Sequence, residues 1–221
     1  MVYIIKGLQL LIFFGVWAQT SVLHSEEYKR QLYKHWIDFD HDCQDTRTEM
    51  LIRDTHGNVK FKRHAQFVRK DMADRGNAHQ GQNEGKFTLD IKGQKVAKPC
   101  VITTGHWIDG YTGKIYSRAN DLDLDHVIPL KYAHVHGAGN WGETKRKEFA
   151  NDPENLILTW KSINRQKGDK GPLRWMPPQE KVWCSYLSRW EKLVSKYKIR
   201  LSKAELSNIA KLKKPACAKS H

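Results

Sequence analysis

Two stretches carry residues whose types and spacing can do chemistry. The first, D-L-D-L-D-H-V-I-P-L over 121–130, sets a carboxylate, Asp125, directly beside an imidazole, His126. The second, N-L-I-L-T-W-K-S-I-N-R-Q-K-G-D over 155–169, sets two carboxamides, Asn155 and Asn164, nine positions apart, with Lys167 just beyond. A carboxylate and an amide oxygen can hold a hard divalent cation, and a neighbouring imidazole can take a proton from water. The chemistry on offer is metal-assisted hydrolysis.

Such residues act only if local structure brings them together. Leu122 and Leu124 alternate with aspartates, the period of a half-buried strand. Strict alternation sends Asp125 and His126 to opposite faces, so both serve one site only if the strand ends there. Pro129 supports that break and restricts Ile128 before it. A short helix over 130–136 is expected to end at G-A-G (137–139), and 144–150 reads as a further helical stretch. Residues 155–159 read as a second strand and 160–166 as a helix ending near Gly168. The order is strand, long excursion, strand, helix.

The chain has 221 residues, enough for one domain with a real core. Its net charge of +14 favours a polyanionic partner: nucleic acid, anionic membrane or acidic polysaccharide. Eight tryptophans and eight tyrosines exclude a disordered basic tail. After Lys6, the apolar run G-L-Q-L-L-I-F-F-G-V-W-A reads as a signal peptide over 1–25, with a cleavage site after Ala18 or nearer Ser25. The run is shorter than the roughly 20 residues of a spanning helix, so no stable membrane association is expected. Export to the periplasm or exterior makes paired cysteines the expectation. Cys43, Cys100, Cys184 and Cys217 allow three connectivities. Cys43–Cys100 and Cys184–Cys217 are preferred, because each ties an end of the chain to the segment nearest it. A zinc site ranks lower, since no C-x-x-C spacing occurs.

The flanking regions read as scaffold. Tyr28, Leu32, Tyr33 and Trp36 fall at helical spacing and predict a core-packing helix over 26–36. Asp38, Asp40 and Asp42 alternate but lack the glycine of a calcium loop, so a polar turn follows, with Asp45 or Thr46 capping a helix. Arg47 is placed either to bridge phosphate oxygens or to pair with these aspartates. A hairpin is expected over 54–62, and 72–98 reads as a surface loop insertion. Residues 100–116 predict a β section around D-G-Y-T-G. Residues 171–178 form an extended linker packing Trp175. Amphipathic helices follow over 179–197 and 202–211, the last with a Ser202–Glu205 capping box.

With these pieces in place, the 121–169 core resembles the HNH, or ββα-metal, nuclease motif, and in spacing also the HNH domain of CRISPR effector nucleases. The wider chain resembles exported bacterial HNH nucleases related to the C-terminal domain of GmrSD restriction systems. That resemblance covers H-W-I-D-F-D-H-D-C-Q-D-T-R, C-V-I-T-T-G-H-W-I-D-G-Y-T-G, D-L-D-L-D-H-V-I-P-L, F-A-N-D-P-E-N-L and N-R-Q-K-G-D-K-G-P-L-R-W-M-P-P. It implies His126 as general base and Asn155 as the residue orienting it. Asp125 and Asn164 would ligate one divalent metal, magnesium by preference, with manganese and calcium as alternatives. Arg165 and Lys167 suit phosphate contacts. The expectation is a monomeric α+β domain over 26–221, disulfide-stapled, with an embedded ββα-metal motif flanked by helices. Its function would be hydrolysis of DNA, and of RNA as a second substrate, with little sequence preference. A non-catalytic nucleic-acid-binding protein and a membrane-active toxin are the competing classes.

Overall fold

The computed structural model describes residues 26–62, 87–89, 95–97 and 100–218; the expected signal peptide over 1–25 and most of the expected insertion over 72–98 lie outside them. The chain enters as an extended segment with one 3-10 turn, Arg30–Leu32, where a helix over 26–36 was expected. The aromatic side chains explain the difference. Tyr28 and Tyr33 pack on His134, whereas Trp36 stacks on His126. A helix would hold them on one stripe, and the two targets lie on different elements. The next turn is the polar one read from the aspartates. Asp38 accepts from the backbone N–H groups of Asp42 and Cys43, and Asp42 from that of Gln44.

Asp45 then caps helix α1 (Thr46–Arg53), accepting from both the N–H and the hydroxyl of Thr48. Strand β1 (Lys60–Phe61) joins β4 (Ile102–Ile108) and β5 (Ile115–Arg118) in a three-stranded antiparallel sheet. The expected hairpin over 54–62 is not formed. His56 N–H donates to the His106 carbonyl instead, because β4 offers a longer unpaired edge. Within the expected insertion, β2 (Phe87–Leu89) and β3 (Lys95–Ala97) pair antiparallel. The four cysteines form Cys43–Cys100 and Cys184–Cys217. Closing loops of that size stabilises the fold by about 4 kcal/mol each in the chain-entropy account.

Strands β6 (Leu122–His126) and β7 (Leu156–Trp160) form a separate antiparallel pair, in register from Leu122↔Trp160 to His126↔Leu156. Leu122, Leu124, Leu156 and Leu158 face a core with Met50, Leu51 and Trp107, whose indole N–H donates to the Leu51 carbonyl. Between these strands run α2 (Leu130–Val135) and α3 (Glu143–Asn151). Helix α4 (Lys161–Lys167) follows β7 without a loop and stops at Gly168, whose φ of 55° a side chain would strain. A second core joins α2, α3 and the Tyr111 turn to α5 (Trp183–Tyr197) and α6 (Lys203–Ala218). Ser202 and Glu205 exchange the capping-box bonds at the start of α6, which runs through Pro215 to the Cys217 staple. The result is a single α+β domain with two cores meeting across β6 and β7. No helix among the described residues is long and apolar enough to cross a membrane.

Candidate active site

The end of β6 is built by three devices. The first is Asn155, fully buried. Its side-chain oxygen accepts from Ile128 N–H at 2.8 Å, its amide donates to the Ile128 and Phe149 carbonyls, and its own carbonyl accepts from Val127 N–H. Asn155 therefore clamps the chain just past His126 rather than touching the imidazole. The second is Asp109, at the β4–β5 turn. Its carboxylate accepts from Tyr111 and Thr112 N–H, the Thr159 hydroxyl and Trp160 N–H. This ties the turn to β7 and carries the Tyr111 ring to β6. Gly110 permits the approach, since a Cβ there would overlap Ile157. The third is Arg47, whose guanidinium donates to the Ala119 and Leu122 carbonyls at 2.9 and 3.1 Å and so holds the start of β6.

The two residues at the strand end have different surroundings. Asp125 is 6% exposed, and its Oδ2 accepts from Lys167 Nζ at 2.8 Å and from the Tyr111 hydroxyl at 2.7 Å. Lys167 is 0% exposed and also donates to the His126 carbonyl at 2.6 Å. Burial pushes the Asp125 carboxyl up and the Lys167 ammonium down, against their mutual attraction. The same burial, with Asp125 beside it, keeps the Tyr111 hydroxyl protonated as a donor.

His126 points the other way. Its Nε2 lies 2.8 Å from the Ala150 carbonyl. A carbonyl only accepts, so Nε2 carries the proton and Nδ1 carries the lone pair. Among the described residues Nδ1 has no hydrogen-bond partner. Trp36 stacks on the ring at 5.6 Å and 15°, and His35 meets it edge-on at 6.3 Å. Burial pushes the imidazole down to about 3, with the nearby Arg30, His35 and Lys167 charges acting in the same direction.

Asn164 lies one helical turn before Lys167 on α4, and its amide donates to Asp123 Oδ2 at 3.1 Å. Both residues are half-buried. Asp123 thus stands at the more exposed end of the same face as Asp125. Arg165 is exposed on the neighbouring turn. The structure brings together Asp125 and Lys167 on one side of β6, Asn164 and Asp123 beside them, and His126 at the end. Missed from sequence were Tyr111, read only as a turn residue, and Trp36, read as core.

Residues 45–212 match the family described as GmrSD restriction endonucleases, C-terminal domain. The chain belongs to this family. A curated relative, described as an uncharacterized secreted protein of Arthroderma benhamiae, is 32% identical over 187 residues, covering 84% of this chain and 74% of the relative. That relative is fungal, whereas the sequence resemblance pointed to bacterial proteins. No solved structure matches. The matched GmrSD C-terminal domain contains every site residue from Arg47 to Lys167; His35 and Trp36 precede it.

Within this GmrSD C-terminal domain, the donor set on the α4 side of β6 suits a hard divalent cation. Asp123, Asp125 and Asn164 offer oxygen only, the amide after turning its carbonyl inward. Asp123 and Asn164 reach solvent, while Asp125 shares an oxygen with Lys167 and Tyr111. The residues fit such an ion, with the Lys167 ammonium as its competitor for Asp125.

Proposed function

We propose that this chain is a secreted, metal-dependent endonuclease of the HNH type that hydrolyses phosphodiester bonds of DNA, and of RNA as a second substrate. The observation that carries the reading is the His126 tautomer: Nε2–H is tied to the Ala150 carbonyl, leaving the Nδ1 lone pair for a water proton. The family, named for restriction endonucleases, supports a nuclease-related activity. The charge of +14 supports backbone binding without base reading. Two disulfides and the description of the fungal relative as a secreted protein support export.

In this reading His126 Nδ1 takes a proton from the water that attacks phosphorus. A pKa near 3 makes a weak base, but an anionic phosphodiester beside the ring raises its affinity for that proton. Asn155 positions the ring by fixing the backbone that follows it. Asp125 and Asn164, with Asp123 alongside, would hold magnesium, manganese or calcium, which when bound supplies positive charge to the scissile phosphate and the leaving oxygen. Arg165 is the exposed phosphate contact on α4. Lys167 and Arg47 act from behind, through Asp125 and the β6 backbone. Little sequence preference is expected, and the protein works as a monomer.

The test is incubation of the oxidised mature protein with plasmid DNA and magnesium, beside an EDTA control and His126→Ala. Cleavage lost in both controls supports the reading. Binding without cleavage, across several divalent metals and with RNA as well, would replace it with a non-catalytic nucleic-acid-binding protein.

A further inference from the structure

The segment before α1 makes an abrupt change of direction. Trp36 has φ 57°, the left-handed region, which costs a bulky residue about 1–3 kcal/mol. That turn lays both Trp36 and His35 against the His126 ring. His35 is fixed in its own right. Its Nδ1–H donates to the Tyr33 carbonyl at 2.7 Å, so its Nε2 lone pair faces Arg30 Nη2 at 3.4 Å. The Tyr28 hydroxyl also lies beside this guanidinium.

Arg30 itself is exposed, and among the described residues it has no carboxylate partner. Other arginines do: Arg53 pairs with Asp54, Arg118 with Asp121 and Arg146 with Glu26. Lys34, further along the same segment, is held by Glu143. Among the described residues, a guanidinium without a carboxylate partner therefore stands beside a site whose ring nitrogen is also unbonded. A planar guanidinium matches two oxygens of a phosphate at once.

We propose that Arg30, oriented by the His35 Nε2 lone pair, forms a phosphate subsite that binds a nucleic-acid phosphodiester beside His126. The proposal rests on the nuclease reading for the identity of the anion. It assigns substrate contact to a residue, Arg30, that precedes the matched family domain, which begins at residue 45, with His35 as its positioning residue. The strained turn then has a purpose: it carries His35 to the His126 ring beside a guanidinium that has no carboxylate partner among the described residues.

The experiment compares Arg30→Ala, Arg30→Lys and His35→Ala with Lys211→Ala, an exposed lysine on α6, in the disulfide-intact mature protein. Binding of a labelled DNA oligonucleotide is measured by anisotropy in EDTA over a salt series, and cleavage kinetics are measured with magnesium. Arg30→Ala is expected to weaken binding about tenfold, as loss of a charged hydrogen bond does, and to lower the salt slope by about one. It raises KM more than it lowers kcat. Arg30→Lys restores the salt slope but not the full affinity, because an ammonium cannot grip two oxygens as the guanidinium does. His35→Ala gives a smaller loss in the same direction. Arg30→Ala losses no larger than those of Lys211→Ala overturn the subsite. A wild type that binds DNA but never cleaves it sinks the nuclease reading alone, because the binding arm still decides the subsite. A wild type that does not bind DNA overturns both.

Discussion

Asp125 and His126 are neighbours in sequence, yet the protein buries them in opposite ways. Asp125 meets a cation and a hydroxyl, so its charge is compensated inside the fold. His126 meets a carbonyl and an indole face, so it is kept neutral and its basic nitrogen is left unbonded among the described residues. One backbone group joins the two: the His126 carbonyl accepts from the same Lys167 ammonium that pairs with Asp125. Residues that hold charge and residues that move a proton need different surroundings, and the alternation of a strand end supplies both within two positions.

Removing the basic nitrogen should have the largest effect. His126→Ala is expected to lower kcat by about 10²–10⁴, the range for losing a general base, and to cost about 1–3 kcal/mol of stability by stranding the Ala150 carbonyl, so cleavage is measured where urea unfolding shows the variant still folded. Plasmid cleavage under single-turnover conditions measures it. A loss below tenfold would show that the proton goes elsewhere.

The charged side of the comparison breaks differently. Lys167→Met leaves the Asp125 carboxylate buried without its partner, which costs about 3–5 kcal/mol at neutral pH by urea unfolding. Burial already pushes the Asp125 carboxyl up, so lowering the pH should protonate it in the variant and recover part of that loss. Asp125→Asn combined with Lys167→Met should be more stable than Lys167→Met alone, since no unpaired charge remains. Equal stability of the two variants would mean that Asp125 is not buried as a charge.

Much of this arrangement can be read from the order of residues, and some of it cannot. D-L-D-L-D-H is a strand because leucines alternate with aspartates, and it stops at His126 because Pro129 is close behind. Asn164 and Lys167 share a helix face through their i, i+3 spacing, and both turn to β6. The contacts that decide roles are long-range. Tyr111 reaches Asp125 only because Asp109 fastens its turn to β7, a link between residues 50 apart. The helix expected over 26–36 fails for the same kind of reason: its aromatic residues have partners on separate elements, and tertiary packing overrides a period of 3.6. Arg47 illustrates the limit from the other side. Its position beside aspartates suggested phosphate or carboxylate partners, but its donors go to two backbone carbonyls.

The neutral side also has a signature in stability. The His126 folded-state value of about 3 lies below its ordinary value of 6.5, so the unfolded chain takes up a proton first as pH falls. Stability from this residue is therefore intact above pH 6.5 and declines toward pH 3, by roughly 2–3 kcal/mol between pH 6.5 and 4.5. Urea midpoints across that window should fall in the wild type and fall less in His126→Asn. Parallel pH profiles would mean that the imidazole is solvated in the folded protein.

The smallest effects separate arginines that hold the frame from those that face the substrate. Arg47 donates to the Ala119 and Leu122 carbonyls, whereas Arg165 is exposed on α4. Arg47→Ala should cost about 1–3 kcal/mol of stability, because it strands buried carbonyls, and should leave the salt dependence of DNA binding unchanged. Arg165→Ala should do the reverse: unfolding within about 0.5 kcal/mol of wild type and a salt slope lower by about one. The two measurements together test whether charge behind β6 and charge in front of it do separate jobs. If Arg47→Ala lowered the slope while stability held, Arg47 would belong with Arg165 on the phosphate side, and another residue would have to hold the start of β6.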